Sequence, residues 1–369
     1  MPSPRSACRA LLATLLAVHL TIGGAAGTLL AKGYFTEPSE QQCAGANTKG
    51  RVGVSDGADI LDMSDGDLDR LLRAARDAGV WSVRVDVDWS RIEAERGRRD
   101  WSDVDRVIHA VRMHGMCAHG LLSYAPAWAA DPAVHPEGSY FAPEPELFAQ
   151  FARDTATRYR NGVRVWEVWN EPNTIRFFKP KPDAASYGAL LTAAYTAIKS
   201  VGPDLTVVSG GLAPAVDNGR DIAPTTFLTG LYTAGANRYF DAFGIHPYTY
   251  PALPNDLSTS AWNTALRLNN MHDVMIDGGD ARKPIWITEC GAPTGTAAVA
   301  VSDDAQAQTL RIMLRAARDV SWLGPAFVYS LRDSGTDRSD PEQNFGILRR
   351  DFLPKPAYAV VKEFAGGPQ

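Results

Sequence analysis

The chain has 369 residues, of which 45% are hydrophobic and 21% are charged, and its formal net charge is −5. This composition is that of a globular protein able to bury a large core, with a length that fits two average domains or one α/β barrel. The net charge is mildly negative, whereas proteins that bind nucleic acid or an anionic membrane need a positively charged surface. No nucleic-acid partner is therefore expected.

The first 27 residues are typical of an export signal. Arg5 and Arg9 precede an apolar run over 10–22, and small residues follow at 23–27. The run is short for a membrane span, which needs about 18 or more apolar residues, and no later segment is long enough. We therefore expect residues 1–27 to be a signal peptide, with an uncleaved signal anchor as the alternative. The mature chain is expected to lack a membrane span and to be secreted, into the extracellular space or the cell envelope (periplasm).

From residue 50 onward, short apolar runs alternate with amphipathic helices, which is typical of parallel βαβ architecture. Strands are predicted at 51–54, 80–87, 116–124, 163–171, 205–209, 240–246, 283–289 and 326–330. Helices are predicted around 64–75, 102–111, 147–151, 187–198, 224–235, 259–277, 303–317 and 356–365, with Ser64 and Ser102 as N-caps. Eight such units predict a (β/α)8 TIM barrel, an α/β fold, as one domain over 49–366 behind an irregular leader at 28–48.

The connections indicate which end of this barrel is functional. Links from helix to strand are terse, whereas links from strand to helix are long, at 125–143, 211–223, 247–258 and 331–342. In this fold the long links build the face where active sites lie. Their aromatic residues are expected to line a cleft, although aromatic residues in loops can also simply cover the barrel: Trp128, Tyr140, Phe141, Tyr248 and Tyr250.

Two carboxylates stand at the ends of predicted strands, Glu171 after strand four and Glu289 after strand seven. In a barrel these ends point at one mouth, so the two side chains are expected to face each other. Two carboxyl groups are the smallest set of side chains that cleaves a glycosidic bond. One protonates the leaving oxygen, and the other attacks the sugar or stabilises the cation that forms on it. A separation of roughly 5–5.5 Å gives retention of configuration, and roughly 6.5–9.5 Å gives inversion.

These residues carry a family resemblance. The segment Trp-Asn-Glu-Pro-Asn at 169–173, together with Trp-Ile-Thr-Glu-Cys-Gly at 286–291, resembles the clan A retaining glycoside hydrolases. Stretches at 83–93 and 124–128, and Phe-Gly-Ile-Leu before Lys-Pro-Ala-Tyr at 355–358, are similar to glycoside hydrolase family 39 and its bacterial exopolysaccharide-cleaving relatives. The resemblance covers about residues 50 to 365. It implies double-displacement hydrolysis of O-glycosidic bonds in a polysaccharide or oligosaccharide, with no cofactor.

The resemblance also implies roles for single residues. Glu171 matches the acid/base and Glu289 the nucleophile. Asn170 matches the asparagine that binds the 2-hydroxyl of the attacked sugar, and Arg84 the arginine that keeps the nucleophile ionised. A set of further positions is expected to bind substrate: His246 and Tyr248 beside the nucleophile, Tyr124 at the end of strand three, Trp128 in the loop that follows, and Tyr329 in strand eight, where many clan members place a tryptophan.

Glu167 shares strand parity with Glu171 and could be mistaken for the acid. Because side chains alternate along a strand, it should point into the barrel one layer below the cleft. We predict that it is the structural partner of an inward-facing arginine.

The remaining polar features predict little chemistry. Beyond Cys8 in the export signal, Cys43, Cys117 and Cys290 are an odd number that allows one disulfide in an oxidising compartment, with the pairing open. Cys290 is expected to be a buried packing thiol. Histidines and carboxylates show no metal-ligand spacing, so no metal site is predicted.

Two alternatives to a family 39-like hydrolase stay open. One is a family 5-like endoglucanase that uses the same two carboxylates on the same barrel. The other is a catalytically silent glycan-binding protein of the cell envelope, which two converging charges disfavour. In each case a carbohydrate is the partner, and we expect a monomer.

Overall fold

The structure is a computed structural model that describes residues 36–45, 48–131 and 137–366. The predicted export signal at 1–27 lies outside these residues. None of the helices in the described segments is both long and apolar enough to cross a membrane.

The core of the fold is one sheet of eight parallel strands. These are β1 Val52–Ser55, β2 Ser82–Asp88, β3 Cys117–Ser123, β4 Val163–Val168, β5 Thr206–Ser209, β6 Phe243–Ile245, β7 Ile285–Cys290 and β8 Leu323–Tyr329. Their spatial order is β5-β4-β3-β2-β1-β8-β7-β6. Isolated parallel bridges, Val208 with Ala242 and Leu212 with Ile245, connect β5 to β6 and close the ring. The predicted (β/α)8 barrel is confirmed.

Helices follow the strands and cover the outside of the sheet. The main ones are Asp65–Asp77, Ser102–Met113, Pro145–Arg158, Ala184–Val201, Pro224–Thr233, Leu268–Asp277, Asp303–Asp319 and Pro356–Ala365. Each presents an apolar stripe to the barrel; in the first, Leu68, Leu71 and Leu72 are buried. Ser64 caps that helix by accepting from the backbone N–H of Asp67, as predicted.

Two details of the predicted elements are wrong. Ser102 is not an N-cap: Trp101 takes that position, and the Ser102 backbone N–H instead donates to Asp100 Oδ1 at 2.9 Å. Strand four ends at Val168 rather than reaching Glu171, because the chain turns sharply at Trp169. The second difference shapes the site.

A separate apolar layer fills the end of the barrel where the strands begin. It comprises Cys43, Trp81, Cys117, Val165, Val208, Ala242, Trp286 and Phe327. Within the stretch predicted to be an irregular leader, Glu40–Cys43 forms one helical turn. A disulfide between Cys43 and Cys117 fastens this turn to the start of β3, while Cys290 is free and buried. Because this apolar layer closes the end of the barrel where the strands begin, the functional face is the end where the strands finish.

Candidate active site

The chain bends sharply where β4 ends, and this bend delivers two polar side chains to the cleft. Trp169 (φ 69°) and Glu171 (φ 47°) both occupy the left-handed region, which is strained for residues other than glycine. Backbone hydrogen bonds hold the bend, from Trp169 N–H to Leu122 O at 2.8 Å and from Glu171 N–H to Gly211 O at 3.1 Å. Strand alternation fails here, so Asn170 and Glu171 both line the cleft.

Glu289 lies near the end of β7 and accepts a hydrogen bond at each carboxylate oxygen. Arg84 Nη1 donates to Oε1 at 2.6 Å, and the Tyr248 hydroxyl donates to Oε2 at 2.8 Å. Charge-assisted bonds of this kind stabilise the ionised carboxylate. Burial and the Glu289 charge together raise the pKa of Tyr248 well above its ordinary value, which keeps its hydroxyl proton available to donate.

Glu171 faces Glu289 across the same space, with His246 between them. His246 Nδ1 lies 3.0 Å from Glu171 Oε1 and 3.6 Å from Glu289 Oε2. One donor atom of each of these three residues lies within 4.8 Å of the other two. Burial disfavours the imidazolium, but the charge of Glu289 and the hydrogen bond to Glu171 outweigh it and raise the pKa of His246.

A buried polar network supports this pair from below. Arg84 donates from Nε and Nη2 to both oxygens of Glu167, at 2.7 and 3.1 Å. Burial opposes ionisation of Glu167, but the Arg84 guanidinium prevails and holds the pKa of Glu167 well below its ordinary value. The Thr288 hydroxyl, 3.0 Å from His246 Nε2, also contacts Glu167 at 3.1 Å. The prediction that Glu167 pairs with an inward arginine is confirmed.

Asn170 is oriented by the same arginine. Arg84 Nη2 donates to Asn170 Oδ1 at 3.0 Å, which directs the amide nitrogen toward the cleft. An amide N–H in that position can donate to a sugar hydroxyl. Arg84 thus contacts Glu289, Glu167 and Asn170 at once.

Three of these groups have the spacing of a metal site. Among the described residues, Glu171, His246 and Glu289 form a cluster whose donor atoms could surround a cation. Both oxygens of Glu289 already hold hydrogen bonds from protein groups. The guanidinium of Arg84 supplies a positive charge to Glu289 from 2.6 Å.

The carboxylates open into a cleft of about 750 Å³ with aromatic sides. On one side Tyr124 packs edge-on against Tyr140, with ring centroids 4.7 Å apart, and stacks on Phe177. On the other side Phe345 lies against Tyr329 at 5.1 Å and Tyr250 at 5.5 Å. The predicted cleft residues Tyr124, Tyr248 and Tyr329 line it.

Two aromatic residues predicted at the cleft, Phe141 and Trp128, do not line it. Lys179 lies over the ring of Phe141. The indole of Trp128 packs edge-on against Trp89, with centroids 5.2 Å apart, and its Nε1 donates to Glu93 O at 2.9 Å. Its position in a loop after strand three could not show this, because the direction of a loop side chain depends on its tertiary partners. Trp128 therefore covers the barrel, the alternative left open for loop aromatics.

Sequence reasoning left several cleft residues without a role: Arg176, Phe177, Trp262, Glu342 and Phe345. Asp86, which follows Arg84 on β2 and is a possible substrate ligand, is the most unusual residue of the cleft. It is only 5% exposed and its Oδ1 has no hydrogen-bond partner among the described residues. Burial, opposed by Arg84 and reinforced by Glu289, raises the pKa of Asp86 to about 7.

Comparison with solved structures shows which known folds this chain resembles. A family 39 glycoside hydrolase from Bacteroides cellulosilyticus WH2 superposes with a TM-score of 0.68 at 25% identity, covering 86% of this chain and 64% of that one. This neighbour and the others described below are glycoside hydrolases. The resemblance predicted from the sequence motifs is thereby confirmed, and the chain spans 64% of the length of the Bacteroides structure.

Other neighbours share the fold at lower identity. A monomeric β-xylosidase from Caulobacter crescentus CB15 matches with a TM-score of 0.66 at 17% identity, over 89% of this chain and 69% of that chain. A family 5 (subfamily 18) enzyme from Streptomyces cattleya, in complex with GlcNAc, matches with a TM-score of 0.63 at 18% identity, over 86% and 79%. No protein-family model matches the sequence, and no curated protein matches it.

Proposed function

We propose that this protein is a retaining glycoside hydrolase in which Glu171 is the acid/base and Glu289 the nucleophile. The observation that carries the proposal is the close approach of the two carboxylates, with an oxygen of each within 4.8 Å of the other. That spacing is closer to the roughly 5–5.5 Å of a retaining carboxyl pair than to the roughly 6.5–9.5 Å of an inverting pair, and it supports direct attack on the sugar.

The contacts of the two residues support different roles. Glu289, with both oxygens hydrogen-bonded to Arg84 and Tyr248, is held as the carboxylate that attacks the anomeric carbon. Glu171 protonates the departing glycosidic oxygen as the C–O bond breaks, which leaves the sugar esterified to Glu289. In the second step Glu171 takes a proton from water, whose oxygen attacks the same carbon and releases Glu289.

His246 supports the acid role because it holds a proton beside Glu171. The Thr288 hydroxyl has one hydrogen, which it donates to the ionised Glu167, so its oxygen accepts from His246 Nε2–H. At the other nitrogen, one proton lies between Nδ1 and Glu171 Oε1. A neutral imidazole accepts it from the carboxylic acid, and an imidazolium donates it to the carboxylate. In both cases the pair carries the proton that the leaving group needs.

We propose a carbohydrate as the substrate. The aromatic cleft supports it, since ring faces suit the apolar faces of sugars. The neighbours include a β-xylosidase and an enzyme in complex with GlcNAc, so β-xylosides and β-N-acetylglucosaminides are the first probes. We further propose a monomer that acts outside the cytoplasm. The Cys43–Cys117 disulfide supports that location, because such bonds persist in oxidising compartments.

The test is turnover of aryl glycosides and of plant and bacterial polysaccharides by the wild type, Glu171→Gln and Glu289→Gln. We expect both variants to lose activity by at least about 10³-fold, and NMR of the first product to show retained anomeric configuration. Glu95→Gln is the matched control, because Glu95 forms an exposed ion pair with Arg98 away from the cleft.

A mechanism-based 2-fluoroglycoside identifies the nucleophile directly. It should label the peptide that contains Glu289 in the wild type and leave Glu289→Gln unlabelled. An inverted product, or a variant at either glutamate with full activity, would refute the mechanism.

A further inference from the structure

The most solvent-exposed tryptophan of the chain lies on the active-site cleft. Of the nine tryptophans, all within the described residues, Trp262 is the most exposed, at 44%, whereas the others are buried or partly buried. Its side chain lines the same cleft as Glu171 and Glu289. A large apolar side chain kept in water is informative, because burying it would have stabilised the fold.

The indole of Trp262 makes no ring contact within the described part of the chain, and its Nε1 has no hydrogen-bond partner there. The other cleft aromatics differ: Tyr248 binds Glu289, and Tyr250 packs on Phe345. An aromatic face left free on a cleft is available to a ligand.

The loop that carries Trp262 is held firmly. Asn263, the next residue, is fully buried and donates from Nδ2 to Thr259 Oγ1 at 2.9 Å, while its Oδ1 accepts from Leu266 N–H at 3.2 Å. The backbone N–H of Trp262 donates to Thr259 O at 3.0 Å, and Arg267 binds the carbonyl of Ala261. The exposed indole is therefore presented by a braced backbone, which lowers the entropy lost when a ligand packs on it.

The size of the cleft indicates what that ligand is. Its volume of about 750 Å³ lies in the upper part of the roughly 300–1,000 Å³ range of pockets that enclose drug-sized molecules, which is more than one sugar ring requires. Glu171 and Glu289 already have hydrogen-bond partners in the protein, namely Arg84, His246 and Tyr248. Trp262 is therefore available to contact a sugar other than the one whose bond is cleaved.

We infer that Trp262 is the stacking platform of a distal sugar subsite, and that the substrate is accordingly a chain of several sugars rather than a single-sugar glycoside. This inference rests on the proposed glycosidase function and adds the substrate's length to it. The π face of the indole packs against the C–H face of a sugar ring away from the bond that breaks.

The experiment measures kcat/KM on an aryl monoglycoside and on linear oligosaccharides of xylose, glucose and N-acetylglucosamine, from disaccharide to hexasaccharide. The wild type should show kcat/KM that rises with chain length. In Trp262→Ala the ratio of kcat/KM for the longest to the shortest substrate should fall by roughly 5- to 10-fold, and Trp262→Phe should restore part of it. Leu257→Ala is the matched control: Leu257 is 76% exposed on the same loop but does not line the cleft.

Two results would overturn the inference while leaving the hydrolase proposal intact. One is a wild type whose kcat/KM does not rise with chain length, and the other is Trp262→Ala with the wild-type ratio. Failure of the hydrolase proposal has a different signature, full activity in Glu171→Gln or Glu289→Gln. Equal thermal stability of the alanine variants and wild type excludes misfolding as the cause of a lower ratio.

Discussion

His246 and Glu171 share a hydrogen bond of 3.0 Å between Nδ1 and Oε1. Because Thr288 binds the other imidazole nitrogen, the ring is held at both ends and cannot turn away from the carboxylate. The negative charges around it overcome the effect of burial and raise the pKa of His246. His246 therefore keeps a proton beside Glu171 to higher pH than an ordinary imidazole would.

Replacing His246 should expose this coupling. In His246→Gln we expect kcat to fall about 10²-fold with little change in KM, because the acid loses the group that stores its proton. The alkaline limb of the pH–rate profile should move to lower pH, since the imidazole no longer retains that proton. His109→Gln, at an exposed helical position, is the control. An unmoved alkaline limb would show that His246 only packs.

Arg84 should dominate the stability of the barrel interior. It is buried and pairs with both Glu167 and Glu289, so Arg84→Met leaves these two carboxylates without their guanidinium and should cost about 3–5 kcal/mol in the free energy of unfolding. The double variant Arg84→Met/Glu167→Leu removes the more deeply buried of the two charges and should be more stable than Arg84→Met alone. Urea unfolding measures both values.

An exposed ion pair provides the comparison for Arg84. Arg98 pairs with Glu95 at the surface, and Arg98→Met should cost less than about 1 kcal/mol. A double variant less stable than Arg84→Met would mean that packing, and not the unpaired charge, sets the cost.

The sequence predicted those parts of the site that strand geometry dictates. Alternation along β4 places Glu167 inside, and the convergence of strand ends brings Glu171 and Glu289 to one mouth. The prediction fails where geometry stops being periodic. Alternation ends at Trp169, whose left-handed backbone no pattern of apolar residues encodes.

The contacts of loop side chains could not be predicted for a different reason. Trp128 and Trp262 both follow strand ends, yet Glu93 O accepts a hydrogen bond from the first indole, and none of the described residues forms a hydrogen bond or ring contact with the second. The cysteine pairing was likewise open, since it depends on the 5.4 Å separation of the Cα atoms of Cys43 and Cys117. Such contacts are made between distant segments and have no local signature.

The disulfide should stabilise the chain by restricting its unfolded state. It closes a loop with a sequence separation of 74, and bonds of this kind contribute typically about 2–4 kcal/mol. We expect Cys43→Ser/Cys117→Ser to lose about that much in urea unfolding, and a reductant to lower the stability of wild type alone. A reductant effect of equal size in the double variant would contradict this assignment.

Asp86 should reduce stability at neutral and alkaline pH. Its pKa is raised from 3.8 to about 7, chiefly by burial, so the folded state holds a proton that the unfolded state has lost. Between those values the unfolded state binds fewer protons, and stability falls as pH rises. Asp86→Asn removes this penalty. Its melting temperature should match wild type below pH about 4 and exceed it increasingly up to about 7.

The same substitution should reduce activity, because Asp86 lines the cleft and its carboxyl group can accept a hydrogen bond from a sugar hydroxyl. A lost hydrogen bond to a charged group corresponds to about a 10-fold or larger fall in kcat/KM. Asp77→Asn, at an exposed helix end, should change neither quantity. If Asp86→Asn is more stable at alkaline pH but turns over substrate more slowly, the carboxyl group of Asp86 lowers stability and contributes to activity. A variant stabilised and fully active would remove Asp86 from the site.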